Sequence, residues 1–489
     1  MVNSSNYSSA LVTDLYSLTM AQGFWKKKMN SHSVFEMFFR RQPFGGGFSV
    51  FAGLATLLKR LTSLTFFHDD IEYLKTIGIF EDDFLDYLKN FKFSGSLWAM
   101  DEGTIVFPNE PLIRIEGDLI ECQLIEGMLL NVINFQSLIA TKTARVIIAS
   151  KGEVNGSSVV EFGLRRAQGP DGALSASRAA YIGGANGTSN VLAGKVFGIP
   201  VVGTMAHSWI MAWPTEEEAF QSYAEIYPER TIFLIDTYDT LKSGIVNAIS
   251  VGRKLAEKGK KFGVRLDSGD IHYLSLEVRK KLDEAGFKDA TISVSNDLDE
   301  SIINALTDAK APINVWGVGT NMVTGGNEAA FTGVYKLAAS ADANGKLNSR
   351  IKFSDNPEKT TNPGLKQVWR VLDENGFFVA DVLSLDGDTE NDVIEKGETY
   401  TFWHPMADYR RFAHTVNGEV FPLLNQKMKD GKIVSNESSL DDIRKNVRKG
   451  LDSLDHSYKR FLNPHIYKVS MTFKLRSMKL DLIKNYLGE

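Results

Sequence analysis

The sequence predicts an α/β protein: a parallel sheet or TIM-like α/β barrel in mid-chain, an α+β domain before it and an α+β extension after it. Three observations carry this expectation. Apolar strands recur in GIPVVGTMAHS, RTIFLIDTYD, KFGVRLDSGD, ATISVSNDLD and INVWGVGTN, and their centres Val201, Phe233, Val264, Ile292 and Val315 lie 32, 31, 28 and 23 positions apart. Helical patterns such as LKSGIVNAISVGRKLAEKGK and IHYLSLEVRKKLDEAG fill the gaps. The segments on either side do not keep this period. Alternation of strand and helix gives βαβ units, and βαβ units build parallel sheet.

Residues 1–140 are expected to form the N-terminal α+β domain. Thr13–Lys28 predicts a helix capped by Thr13 or Asp14. VFEMFFRR predicts a strand stopped by the QPFGGGF turn. LATLLKRL and Phe80–Phe93 predict helices, and SLWAMDEGTIVFPNEPLIRIEGDL predicts antiparallel strands. Residues 141–344 hold the strand–helix repeat. A helix over Ser175–Gly198 is interrupted by GGANGTSN, whose glycines let a backbone approach a ligand closely. Residues 345–489 form the C-terminal domain, part of it packing on the N-terminal one. There QVWRVLDENGFFVADVLSL predicts a hairpin with a type I′ turn at Asn375-Gly376, and DGKIVSNESSLDDIRKNVRKGLDSL is polar, then helical.

Hydrophobic content of 43 % and charged content of 24 % suit a soluble globular protein. A net charge of −5 with no long run of one sign gives no electrostatic case for nucleic acid or an anionic membrane. The single cysteine, Cys122, cannot make an internal disulfide and suggests a reducing setting. MVNSSNYSSALVTDLY lacks a cationic region followed by an apolar one, and no long apolar stretch follows. A cytoplasmic location is the expectation.

In α/β barrels the chemistry gathers where strands end. The ends here are His207, Asp236, Arg265 with Asp267, Asn296, and Gly317 with Gly319. GVGT at Gly317–Thr320 follows a late strand, where backbone amides bind phosphate; an ordinary tight turn reads the same way. His207 suits a general base, a metal ligand, a phosphoryl acceptor or a core histidine bonded to backbone. The residues after it, SWIMAW, offer no ligand at helical spacing, which argues against a metal pair on a helix. Arg265 and Asp267 share a strand face by their spacing. They suit an acidic substrate group and a ribose hydroxyl or Mg²⁺-bound ligand, or simply an ion pair with each other. Phe162 and Arg165 in EFGLRR suit a flat anionic ring, as a core phenylalanine and a surface arginine also would.

Taken together, TDLYSLTMAQGFW, FEMFFRRQPFGGGFSVFAGL, EFGLRRAQGPDGALSASRAAYIGGANGTSNVLAG, GTMAHSWIMAW, VRLDSGD and VWGVGTNMVTG resemble the nicotinate phosphoribosyltransferases over nearly the whole chain. The resemblance implies transfer from 5-phosphoribosyl 1-diphosphate to nicotinate in NAD salvage, releasing diphosphate, with ATP as co-substrate and Mg²⁺ as cofactor. It implies that His207 is the phosphohistidine, and that Thr204 and Arg265 hold nicotinate. Phe162 and Tyr16 would sandwich the pyridine ring, Tyr16 often coming from a second subunit. Arg165 would meet phosphate or carboxylate. Asp236 and Asp267 would serve the ribose hydroxyls and Mg²⁺. Asn296, Gly319 and Thr320 would hold the 5-phosphate. The implied fold is an irregular α/β barrel with flanking domains, and the implied assembly a homodimer with shared active sites. Ser189 stands where the related nicotinamide enzymes carry an aspartate, which would repel a carboxylate; this favours nicotinate. A nicotinamide phosphoribosyltransferase, or a phosphoribosyl-ligand-binding protein without catalysis, is the rival expectation.

Overall fold

Six short strands form one parallel sheet within Ile139–Ala329: β1 Ser158–Glu161, β2 Gly187–Thr188, β3 Ile232–Leu234, β4 Gly263–Leu266, β5 Thr291–Val294 and β6 Val315–Val318. Their order is β2-β1-β6-β5-β4-β3. The computed structural model describes residues 10–386 and 392–488. Residues Ile139–Ala329 make one compact unit, and Met1–Leu138 with Ala330–Glu489 make the other.

The strands are apolar, as the buried strands of a parallel sheet are. Phe233, Val264, Ile292, Val294 and Val318 are fully buried. Aromatic rings pack in series from Phe220 to Phe233, Phe262 and Phe287, with centroids 4.8–5.7 Å apart. Helices Ile245–Glu257, Ile271–Glu284 and Glu300–Asp308 supply the crossovers.

Two expectations are corrected in this unit. A closed TIM-like ring is not seen among the described residues: the sheet is open, with β2 and β3 at its edges. The segment around Val201, expected as a full strand, makes a single bridge to Thr188. Pro200, just before it, has no amide to extend a ladder. The interruption expected within Ser175–Gly198 is present: two helices, Gly169–Ile182 and Val191–Phe197, flank β2. Gly184 at φ +116° turns the chain so that GGANGTSN can add this strand beside β1.

The other unit holds two larger sheets. A seven-stranded sheet runs Leu347–Ser349, Gly333–Ala341, His32–Phe39, Ile113–Asp118, Ser96–Ala99, Asn425–Lys429, Lys432–Ile433. A six-stranded sheet buries Val371, Val382, Phe402 and Val416 and contains the expected hairpin of Lys366–Leu372 with Phe378–Leu385. Its turn is not type I′, because Gly376 alone is left-handed there, at φ +85°. The Asp373 carboxylate accepts from the Asn375 and Phe377 amides, and Gly376 N–H donates to the Asp373 carbonyl. These bonds favour a bulged turn with one left-handed residue, and the ladder shifts register at Val371/Leu372. The first helix covers Leu15–Lys26 with Asp14 as its N-cap residue, though no side-chain cap bond forms. No helix among the described residues is long and apolar enough to cross a membrane.

Candidate active site

Three successive crossovers repeat one arrangement: a polar group just past the strand, and an aspartate three residues later. Asp239, Asp270 and Asp299 are the later members, and each accepts backbone amides at the start of the next helix. They are N-caps, a structural duty. That leaves Asp236, Asp267 and the Ser295-Asn296 pair at the carboxyl ends of β3, β4 and β5.

Arg265 and Asp267 lie on the same face, as their spacing requires. Arg265 donates from Nε to Ser295 Oγ at 2.7 Å, from one terminal nitrogen to Asp267 Oδ1 at 2.8 Å, and from the other to the Met205 carbonyl at 3.2 Å. Ser295 Oγ also donates to Asp267 Oδ1 at 2.5 Å, closing a triangle. The guanidinium lies 5.9 Å from the centroid of the Phe162 ring. Burial alone would push the Asp267 carboxyl up. Hydrogen bonds from Arg265 and Ser295, with the charges of Arg265 and His207, outweigh it and hold the group below the usual carboxylate range.

His207 opens the short helix His207–Met211 rather than ending a strand. Its ring is held between Thr237 and Asp267: Nδ1 is 3.1 Å from Thr237 Oγ1, and Nε2 is 3.6 Å from Asp267 Oδ2. Asp236 Oδ2 accepts from the Asp267 amide at 2.9 Å and from Ser268 Oγ at 2.5 Å. Asp236 Oδ1 is buried and makes no hydrogen bond among the described residues. A bare buried carboxylate oxygen calls for a cation or a donor. No cluster of three or more His, Cys, Asp or Glu that could hold a metal occurs among the described residues. The donor set suits Mg²⁺, which binds through one or two carboxylates while substrate phosphates complete its shell.

Phe162 follows β1, and its amide donates to the Val318 carbonyl at 2.8 Å. A Cβ at Gly317 would lie 2.6 Å from the Phe162 ring and 3.0 Å from Ser295 Cβ. The absence of a side chain at Gly317 leaves room for that ring. Gly319 is the N-cap residue of the short helix Thr320–Val323, whose first amides lack intrahelical acceptors. Ser189 is half-buried directly after β2, and its amide donates to the Glu161 carbonyl at 2.9 Å.

Not every expected residue joins the cluster. Thr204 Oγ1 donates to the Ile232 carbonyl at 2.8 Å, tying its loop to β3. Arg165 sits exposed in the turn Leu164–Arg166, and Asn296 is half-buried beside Ser295. Tyr16 belongs to the other unit, 48 % exposed on its helix, with Glu126 near its phenol. Three contributors were not expected: Ser295, Thr237 and Glu161. Thr237 and Ser295 directly adjoin expected residues. Glu161 had a signal of its own, an acidic residue ending the apolar run SVVE.

Comparison with known proteins identifies the family. Family models match in three successive stretches: the nicotinate phosphoribosyltransferase N-terminal domain over residues 11–134, the nicotinate phosphoribosyltransferase family over 157–376, and the C-terminal domain over 365–479. The chain is 41 % identical to the nicotinate phosphoribosyltransferase of Bacillus subtilis over 480 residues, covering 97 % of this chain and 95 % of that one. It is 36 % identical to the nicotinate phosphoribosyltransferase of Caenorhabditis elegans over 526 aligned residues, covering 95 % and 92 %. The crystal structure of the human nicotinic acid phosphoribosyltransferase superposes with a TM-score of 0.84 at 29 % identity, covering 96 % of this chain and 99 % of that one.

Proposed function

The chain belongs to the nicotinate phosphoribosyltransferase family, and on that premise we propose how its strand-end cluster carries the reaction. The protein transfers a phosphoribosyl group to nicotinate, a step of NAD salvage. Its phosphoribosyl donor is 5-phosphoribosyl 1-diphosphate, and the products are nicotinate mononucleotide and diphosphate.

The observation that carries the site assignment is Arg265, fixed by three partners above the Phe162 ring. Each guanidinium nitrogen is engaged once, so each terminal nitrogen keeps a second N–H for a carboxylate. Nicotinate is a flat ring bearing one carboxylate. Arg265 takes the carboxylate, Phe162 takes one ring face, and the ring nitrogen is thereby aimed at the sugar. Ser189 lines the same pocket. Tyr16 from a second copy covers the other ring face; its exposure, with that of Leu15 and Met20 on the same helix, supports this. Arg165, Asn296, Gly319 and Thr320 hold phosphate.

Displacement at the anomeric carbon passes through a cationic state. The pyridine nitrogen already has its lone pair, so no general base is needed. The protein's work is positioning and electrostatics. Asp267, held ionised by Arg265 and Ser295, and Asp236 lie where positive charge develops and where ribose hydroxyls need acceptors. Asp236 Oδ1 and Asp267 would hold Mg²⁺, which neutralises diphosphate oxygens. His207 accepts a phosphoryl group from ATP, its ring fixed by Thr237 and Asp267. The added charge beside the diphosphate subsite couples ATP hydrolysis to transfer.

Two substitutions test the base pocket. Gly317→Ala forces a methyl group into the Phe162 ring and is expected to raise the KM for nicotinate roughly tenfold. Steady-state kinetics with an unchanged KM would remove Phe162 from the pocket. Ser189→Asp places a carboxylate opposite that of the substrate. It is expected to lower the ratio of nicotinate to nicotinamide kcat/KM by about tenfold or more. An unaltered ratio would exclude Ser189 as the selector.

A further inference from the structure

Glu161 has no part in the reaction described above, yet it is a carboxylate with 1 % exposure at the end of β1. A buried carboxylate is costly unless its oxygens are satisfied. Here they are satisfied by uncharged donors. Oε1 accepts from the Gly163 amide, and Oε2 accepts from Thr188 Oγ1 at 2.5 Å and Ser177 Oγ at 2.9 Å.

These bonds straddle the two walls of the base pocket. The bond to Gly163 closes a loop over Phe162, the residue between. The bond to Thr188 fastens the residue before Ser189. On the far side of Ser189, the Asn190 amide donates to Thr188 Oγ1 at 2.9 Å and its side chain to Ser177 Oγ at 3.2 Å. Backbone bonds complete the clasp, with Ser189 N–H to the Glu161 carbonyl and Phe162 N–H to the Val318 carbonyl. Slack is small, because a Cβ at Gly163 would run into the Val323 side chain.

We infer that Glu161 is a positioning residue that clasps Phe162 and the Ser189 turn together and so sets the geometry of the base pocket. This rests on the reading that Phe162 and Ser189 line that pocket. A carboxylate is required because it only accepts, and it has two oxygens for several donors. A glutamine turns an NH₂ either toward the Gly163 amide or toward hydroxyls that already donate, so one tie is lost.

The test is the KM for nicotinate and for 5-phosphoribosyl 1-diphosphate in Glu161→Gln, Thr188→Val and Thr188→Ser, with Arg265→Ala alongside. Hydrogen exchange of the 158–168 segment is followed in each. Glu161→Gln and Thr188→Val are expected to raise the nicotinate KM roughly tenfold while the donor KM and kcat change much less. Thr188→Ser, which keeps the hydroxyl, is expected to stay close to wild type. Exchange at Phe162–Gly163 is expected to speed up in Glu161→Gln. An unchanged nicotinate KM in both Glu161→Gln and Thr188→Val, or equal losses in all three kinetic parameters, would overturn the inference. Should Arg265→Ala also leave the nicotinate KM unchanged, the pocket assignment fails instead. The exchange data then decide the clasp separately: unaltered protection in Glu161→Gln overturns it, and lost protection supports it. If Glu161→Gln does not fold, the contrast between Thr188→Val and Thr188→Ser decides: a raised nicotinate KM in the first alone supports the clasp, and equal values overturn it.

Discussion

Arg265→Ala is expected to lower kcat/KM for nicotinate by roughly a hundredfold, mostly through KM, equivalent to about 3 kcal/mol. Two losses add. The substrate carboxylate loses a charge-assisted, two-pronged partner. Asp267 loses the cation beside it, although Ser295 still donates to it. Arg265→Lys restores charge but not the planar fork, so an intermediate value is expected. The pH profile carries a second signature. In the native protein the Arg265 bonds help hold the Asp267 carboxyl below its ordinary range against burial, which pushes it up. Without Arg265 the burial effect gains, and the carboxyl titrates at higher pH. The acid limb of kcat/KM should therefore move upward in Arg265→Ala. A nicotinate KM equal to the native value would contradict the assignment of Arg265 to the substrate carboxylate.

His207→Ala is expected to abolish ATP stimulation entirely while retaining basal phosphoribosyl transfer. The histidine touches neither the base nor the developing bond in the proposed arrangement, so its loss uncouples rather than stops the chemistry. Incubation with ATP radiolabelled in its γ-phosphate should give an acid-labile phosphoprotein in the native enzyme and none in the variant. Thr237→Val, which removes the Nδ1 partner at 3.1 Å, should weaken labelling without eliminating it. Full ATP stimulation in His207→Ala would end the phosphohistidine proposal.

The sequence made the site more legible than the sheet that carries it. Asp236, Arg265 and Asp267 were legible because strand–helix alternation locates strand ends, and polar groups at those ends have few structural reasons to be there; His207 was singled out by the same rule, although its segment makes only a bridge and it opens a helix. Ser295 was not. At the end of β5, Ser295 rather than Asn296 reaches Arg265 and Asp267, because a one-residue change in where a strand ends swaps the face a side chain takes. Gly317 was legible as a candidate, but the space it leaves for the Phe162 ring was not, since a glycine's pattern does not distinguish an amide offered to phosphate from space left for a neighbouring ring. The role of Glu161 was not legible, because its donors, the Gly163 amide and the hydroxyls of Ser177 and Thr188, include groups far away in sequence. Sheet closure was beyond local pattern: strands of two to four residues fix the period, while Pro200 and the GGANGTSN turn decide which segments pair. The Asn375-Gly376 turn followed its dipeptide only in part, because the Asp373 carboxylate selected a different turn type.

The most direct test is nucleotide formation from 5-phosphoribosyl 1-diphosphate and Mg²⁺ with either nicotinate or nicotinamide, each with and without ATP. The expected result is nicotinate mononucleotide and diphosphate, strong preference for nicotinate, and a rate raised by ATP. Preference for nicotinamide, or ligand binding without turnover of either base, would contradict the proposed function.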